Sequence, residues 1–132
     1  MDCRLVTFNV FGDARGKLVS LEGMKNVPFS IKRVYYMYST VLGQERGHHA
    51  HRNLEQILIC LAGSVVCVLD DGKERKEFLL NSPNEGIYIG NYMWRELKNL
   101  SEDCVIMVLA SDYYDEKDYI RNYQDFLNVI CG

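Results

Sequence analysis

The amino-acid sequence predicts an all-β protein of antiparallel strands, closed by one short C-terminal helix. Short runs rich in β-branched and aromatic residues recur along the chain, with turn residues between them. Only two prolines occur, Pro28 and Pro83, and neither opens a linker. Near the end the apolar spacing changes. Tyr119, Ile120, Tyr123, Phe126, Leu127 and Ile130 fall three and four apart, the period of a helix with one apolar face.

Leu5–Phe11 begins the strand series. Asp13-Ala14-Arg15-Gly16 reads as a turn, and Lys17–Glu22 as the strand after it. The residues of Phe29–Thr40 suit a pleated, partly buried surface. Val41–Gly47 reads as a loop. Glu55–Leu61 and Ser64–Leu69 are strands divided by Ala62-Gly63. Asp70-Asp71-Gly72 is a hairpin signal, because glycine accepts the positive φ such turns need. Glu74–Leu80 returns from it, and Gly86–Ile89, Met93–Leu97 and Cys104–Ala110 complete the series. Strands at this spacing argue for a sandwich or a barrel. The helix is expected over Glu116–Val129, with Asp115 as its N-cap. Its apolar face must be buried on the β-structure or on a second subunit.

A chain of 132 residues argues for one domain, here 1–132. Apolar residues make up 48% and charged residues 25%, ordinary values for a globular protein. A net charge of −3 gives no basic footprint for nucleic acid, though a few arginines would serve a small anion. The five cysteines include no closely spaced pair, which argues against both a cysteine zinc site and a disulfide framework. Cys60, Cys67 and Cys104 lie in apolar runs and read as buried thiols. Met1–Val10 lacks the pattern of a signal peptide, and no apolar stretch has the length of a membrane span. A cytoplasmic protein is expected.

All three histidines, His48, His49 and His51, lie within four positions. On an extended segment His49 and His51 point to one face and His48 to the other. Three readings compete. The first is a surface loop with incidental histidines. The second is a metal site, since His49-x-His51 followed by Glu55 matches the first metal motif of cupin barrels. Those sites take a further histidine from a later strand, and none follows His51. Two histidines and a carboxylate could still hold iron, so the metal reading is weakened but stays open. The third is metal-free acid–base chemistry, for which imidazole is suited near neutral pH.

A specific resemblance rests on several segments. They include Ser30-Ile31-Lys32-Arg33-Val34-Tyr35-Tyr36, Arg46-Gly47-His48-His49-Ala50-His51 and Leu54-Glu55-Gln56. Gly63-Ser64, Leu69-Asp70-Asp71-Gly72 and Leu109–Glu116 continue the series, and Asp118-Tyr119-Ile120-Arg121-Asn122-Tyr123 completes it. Together they resemble the nucleotide-sugar 3,4-ketoisomerases of the cupin superfamily, from Asp13 to Phe126. The resemblance implies a cupin-type antiparallel β-barrel, or jelly roll, that forms a homodimer. It implies conversion of dTDP-4-keto-6-deoxyglucose to its 3-keto isomer, toward 3-amino-3,6-dideoxy sugars of bacterial surface glycans. No metal or organic cofactor is implied. His48 departs from the family pattern, where an apolar or aromatic residue is expected.

The resemblance places the main base at His49. His51 is then a second proton carrier, or the group that sets the tautomer of His49. Tyr35 shares a strand face with Arg33 and is either a hydrogen-bond donor to an enolate or a core aromatic. A diphosphate needs cations, and the arginine fork matches phosphate oxygens. Arg15 resembles the phosphate-binding arginine of related sugar epimerases. Arg33 and Arg46 flank the histidine strand, and Arg121 could instead tie the terminal helix down. Gln56 is a candidate sugar contact. Trp94, with Tyr88 and Tyr92, forms an aromatic cluster in sequence, for which core packing is the favoured reading. A nucleotide-sugar epimerase, a metal-dependent cupin and a non-catalytic sugar-binding barrel are the alternatives.

Overall fold

The computed structural model describes residues Met1–Gly132. Twelve strands and two short helical segments follow one another along the chain. One sheet holds β1 (Cys3–Thr7), β4 (Arg33–Met37), β6 (Gln56–Ala62), β9 (Glu85–Ile89) and β11 (Val105–Ala110), in the order β1-β9-β6-β11-β4. The other holds β5 (Arg46–His51), β7 (Val65–Asp70), β8 (Arg75–Leu80), β10 (Trp94–Lys98) and β12 (Tyr119–Ile120), in the order β12-β5-β10-β7-β8. A separate hairpin joins β2 (Phe11–Asp13) to β3 (Gly16–Leu18). All strand pairs in the two sheets are antiparallel. The expected jelly roll thus takes sandwich form, with two five-stranded sheets that do not join into one ring.

Alternation along each strand decides what enters the space between the sheets. Leu58, Cys60, Ile87, Ile89, Ile106 and Val108 of the first sheet meet Val65, Cys67, Leu69 and Leu97 of the second. Toward one end this apolar filling gives way to polar side chains, and the cavity described below opens there. The outward residues Ile57, Ile59, Tyr88 and Leu109 are covered by Phe8, Val27 and Phe29. All five cysteines are free, with Cys60, Cys67 and Cys104 buried.

The nine expected strands each fall on a strand of the structure in the same order, with ends displaced by a few residues; β2, β5 and β12 lie outside the expected series, and β5 opens inside the segment read as a loop. The helix is corrected. Asp115 does cap, but only a single 3₁₀ turn over Glu116–Asp118. Tyr119 and Ile120 then pair with His51 and Ala50 as β12, so they leave the helical stripe. The helix α1 spans Tyr123–Cys131, and Asn122 accepts the Asp125 N–H at its start. Backbone pairing along β5 outweighs a helical spacing that continues only from Tyr123. The grouping of Trp94 with Tyr88 and Tyr92 is also corrected. Tyr88 faces the outer layer, Tyr92 is exposed, and Trp94 packs on Tyr123 and Phe126 of the helix.

Helix α1 therefore braces the histidine strand from behind, through the cluster Ala50, Trp94, Ile120 and Phe126. Phe126 is fully buried there. Phe126→Ala should destabilise the protein by about 3–5 kcal/mol, the usual cost of emptying a buried aromatic site. Urea unfolding of the variant checks this.

Candidate active site

The cavity between the sheets has a volume of about 570 Å³. Tyr35 and Arg33 enter from β4, Gln56 and Leu58 from β6, Val108 from β11, His49 from β5, and Arg95 and Leu97 from β10. Tyr114, Tyr119 and Arg121 complete its wall from the C-terminal segment. Four arginines, Arg33, Arg46, Arg95 and Arg121, line it against one carboxylate, Glu45. That balance suits an anionic ligand.

The histidine strand is held on both sides. Tyr119 pairs with His51, and Arg95 pairs with His49. Between Arg95 and Glu96 the register slips, and His48 becomes the extra residue, with φ of 49° after Gly47 at 90°. His49 and His51 project on one side of the strand, and Ala50 faces the helix layer. His48 approaches Glu45 and Glu96, each at 3.9 Å, so its ring turns to their side although the residue borders the cavity rim.

The two imidazole rings meet edge to face, with centroids 4.9 Å apart. Each is anchored through Nδ1. His49 Nδ1 donates to the Gly47 carbonyl at 2.8 Å, and His51 Nδ1 donates to Asp118 Oδ2 at 2.9 Å. With the proton on Nδ1, each Nε2 carries a lone pair, and both Nε2 atoms are buried without a partner. Gly47, not His51, therefore sets the tautomer of His49. His49 fronts the cavity, whereas His51 lies deeper and is fully buried. Burial and the Arg95 cation depress the His49 pKa to about 4. His51 is lowered by burial first, then by Arg95 and His49.

A polar chain runs from Arg95, beside His49 in the same sheet, to Gln56 and Tyr35 of the opposite sheet. Arg95 is buried, donates to Gln56 Oε1 and to the Met93 carbonyl, and makes no salt bridge. Gln56 Nε2 donates to the Tyr35 hydroxyl at 2.9 Å. The Tyr35 oxygen thus accepts one hydrogen bond and keeps its own proton to donate. Burial raises the Tyr35 pKa, which preserves that proton. The sequence alternatives for Tyr35 merge here, since the ring is inward-facing and its hydroxyl is polarised.

Other expected residues stand further out. Arg33 lies over the Tyr35 ring at 5.0 Å, and its Nε is buried without a partner. Arg46 borders the cavity, and Arg121 stacks over Tyr119 at 4.3 Å while pairing with Glu116 at 2.8 Å. Arg15 is not brought to this set. It sits exposed between β2 and β3, paired with Asp13 at 2.6 Å. Glu55, the carboxylate a metal centre would need beside His49 and His51, accepts instead from Tyr88, which packs in the outer layer. The residues present do not assemble that metal set.

Sequence reasoning missed Arg95, Tyr119, Tyr114 and Asp118. Arg95 alternates with Met93 and Leu97, so an arginine on an apolar strand face was the available signal. No comparable signal marked Asp118, whose role depends on a contact 67 residues away in sequence.

An arginine-lined cavity with two Nδ1-anchored imidazoles and a hydrogen-bonded phenol lies between the sheets of a small jelly roll, an arrangement suited to proton transfer on a small anionic molecule. The chain belongs to the FdtA family, described as WxcM-like, C-terminal, whose profile matches residues 1–131. It is 52% identical to the TDP-4-oxo-6-deoxy-alpha-D-glucose-3,4-oxoisomerase of Aneurinibacillus thermoaerophilus over 131 residues, covering 99% of this chain and 94% of the relative. Its fold matches a 3,4-ketoisomerase from Helicobacter canadensis with a TM-score of 0.98 at 47% identity, covering 100% and 99% of the two chains. It also matches QdtA, a sugar 3,4-ketoisomerase from Thermoanaerobacterium thermosaccharolyticum solved with TDP, with a TM-score of 0.96 at 45% identity, covering 98% and 95%.

The depressed His49 pKa has a consequence for folding. The unfolded chain protonates His49 as pH falls through about 6.5, but the folded chain resists until about 4. The unfolded state binds more protons over that window, so stability declines as pH falls from 6.5 to 4. His49 alone should contribute a loss of up to about 3 kcal/mol by the lower limit. Urea unfolding of the wild type and of His49→Asn as a function of pH checks this: the variant should show a shallower decline.

Proposed function

We propose that this chain moves the keto group of dTDP-4-keto-6-deoxyglucose from C4 to C3. The observation that carries the reading is the pair of Nδ1-anchored imidazoles with open Nε2 atoms at an arginine-lined cavity. The relatives at 45–52% identity that bear isomerase names support it.

The C3 hydrogen is acidic because the adjacent ketone takes up the charge as an enolate. His49 Nε2 removes that proton, and the C–H electron pair becomes the C3–C4 double bond. The C4 oxygen, now an enolate, receives the Tyr35 O–H. The Tyr35 proton passes to that oxygen, His51 Nε2 takes the C3 hydroxyl proton as the C3 carbonyl forms, the double-bond electrons take at C4 the proton held by His49, and the proton on His51 returns to the Tyr35 oxygen. His51 is the second proton carrier. Protons balance, and no electrons leave the sugar, so the reaction asks for no redox cofactor. Neutral imidazole is the form that can start it. Arg33, Arg46 and Arg121 are positioned for the diphosphate, and Gln56 acts on the sugar through Tyr35.

The same reading makes this a cytoplasmic enzyme of deoxysugar synthesis for bacterial surface glycans, and a homodimer. No helix is long and apolar enough to cross a membrane. Phe11 and Leu18 on the β2–β3 hairpin, and Val34 and Tyr36 on edge strand β4, are exposed apolar groups that a second copy would cover. Arg15, at the tip of that hairpin, is exposed and does not line this chain's cavity.

Incubation with dTDP-4-keto-6-deoxyglucose in heavy water, followed by NMR, should give a 3-keto product carrying deuterium. An unmoved carbonyl with an inverted carbon would favour an epimerase, and dTDP binding without exchange a non-catalytic protein. His49→Asn should reduce turnover by at least about 1,000-fold with dTDP affinity nearly unchanged. A variant of full activity would remove His49 from its role. Sedimentation should give about twice the mass of one chain.

A further inference from the structure

The segment from Asp115 to Arg121 borders the cavity, yet the proposed reaction uses only its tyrosine and arginine, as cavity wall. Its remaining side chain of note is Asp118. That carboxylate ends the 3₁₀ turn and points at the buried imidazole of His51. Oδ2 accepts His51 Nδ1–H at 2.9 Å. Oδ1 accepts the backbone N–H of Asn53 at 2.7 Å and that of Arg52 at 3.1 Å. Both oxygens are thus committed to donors, and the two backbone donors cannot reverse direction.

We propose that Asp118 is a positioning residue, which holds the His51 proton on Nδ1 and so keeps Nε2 open to accept a proton during turnover. This rests on the reading of His51 as the second proton carrier. The two imidazoles thereby receive unequal support. His49 leans on a neutral carbonyl, a weaker acceptor, whereas His51 leans on a charged carboxylate that steadies the cation it forms on gaining a proton. The site can then be asymmetric without any difference in residue type. Asp118 also fastens β12 against β5, because its backbone carbonyl accepts the Arg52 N–H beside the Tyr119–His51 pair. Orientation and proton placement are therefore set by one residue.

The decisive variant is Asp118→Asn. Its single oxygen must stay on the two backbone N–H groups of Arg52 and Asn53, so its amide N–H₂ faces His51. An N–H donor there forces Nδ1 to become the acceptor and moves the proton to Nε2. The shape of the side chain is preserved, but the lone pair is on the wrong nitrogen. A fall in kcat of about 100-fold or more is expected, with KM within a few-fold; a tautomer exchange of this kind in the Ser-His-Asp triad costs about 10⁴.

The test is NMR of ¹⁵N-histidine-labelled full-length protein, read alongside turnover. Wild-type His51 should be Nδ1-protonated at pH 7, and Asp118→Asn should show His51 protonated on Nε2. Wild-type His51 protonated on Nε2 overturns the proposal, whether or not the variant folds. So does a variant that keeps the Nδ1–H tautomer, or that shows the Nε2–H tautomer with unchanged kcat. If the wild type shows Nδ1–H and the variant the exchanged tautomer, but the wild type does not isomerise the keto sugar, the placement of the proton stands and the proposed reaction falls.

Discussion

Arg95 carries a guanidinium into the space between the sheets, where no carboxylate neutralises it. A buried cation without a counter-ion is costly, and its cost is offset only in part by the Gln56 and Met93 oxygens. The charge reaches everything around it. Burial disfavours the charged form of both imidazoles, and the Arg95 charge adds to it by disfavouring a second cation. That charge orients the Gln56 amide, which in turn presents its N–H to Tyr35 and leaves the phenol proton for the ligand. It also makes the cavity attractive to an anion and to the negative charge that develops on an enolate oxygen. The two imidazoles and the Tyr35 hydroxyl thus share one charged neighbour.

That arrangement needs β5 in a single register. The bulge at His48 allows Arg95 to sit opposite His49 while Glu96 sits opposite Gly47. Without the extra residue, the side chains beyond the bulge would exchange faces. On its other edge β5 is held by only two residues, Tyr119 and Ile120. The helix behind them supplies the apolar weight, through Phe126, Trp94 and Ile120, that such a short strand lacks. The C-terminal segment therefore acts on the site from three directions. Tyr119 packs on both imidazoles, Asp118 takes the His51 proton donor, and Arg121 extends the cationic rim.

Much of this was legible in the sequence, because alternation is a local property. The placement of His49 with His51, of Tyr35 with Arg33, and of Gln56 toward the interior all follow from a period of two. The glycine of the Asp70-Asp71-Gly72 turn has φ of 91°, as the hairpin required. What was not legible depends on contacts distant in sequence. Asp115 looked like the cap of a long helix, and only the pairing of Tyr119 with His51 shows why that helix starts at Tyr123. Arg15 had a turn motif in its favour, but a motif does not say where a hairpin points. Arg95 was written into an alternating apolar strand, and its meaning emerged only when that strand was laid beside the histidines.

Burial, and after it the charge of Arg95, keeps His49 neutral, so that its Nε2 is free to take a proton. The most direct measurement is the titration of His49 in the wild-type protein, followed by NMR of ¹⁵N-labelled histidine and assigned with His49→Asn. A midpoint near 4, with the proton on Nδ1 above it, is the result this account requires. A midpoint at or above 6.5, the ordinary histidine value, would contradict it.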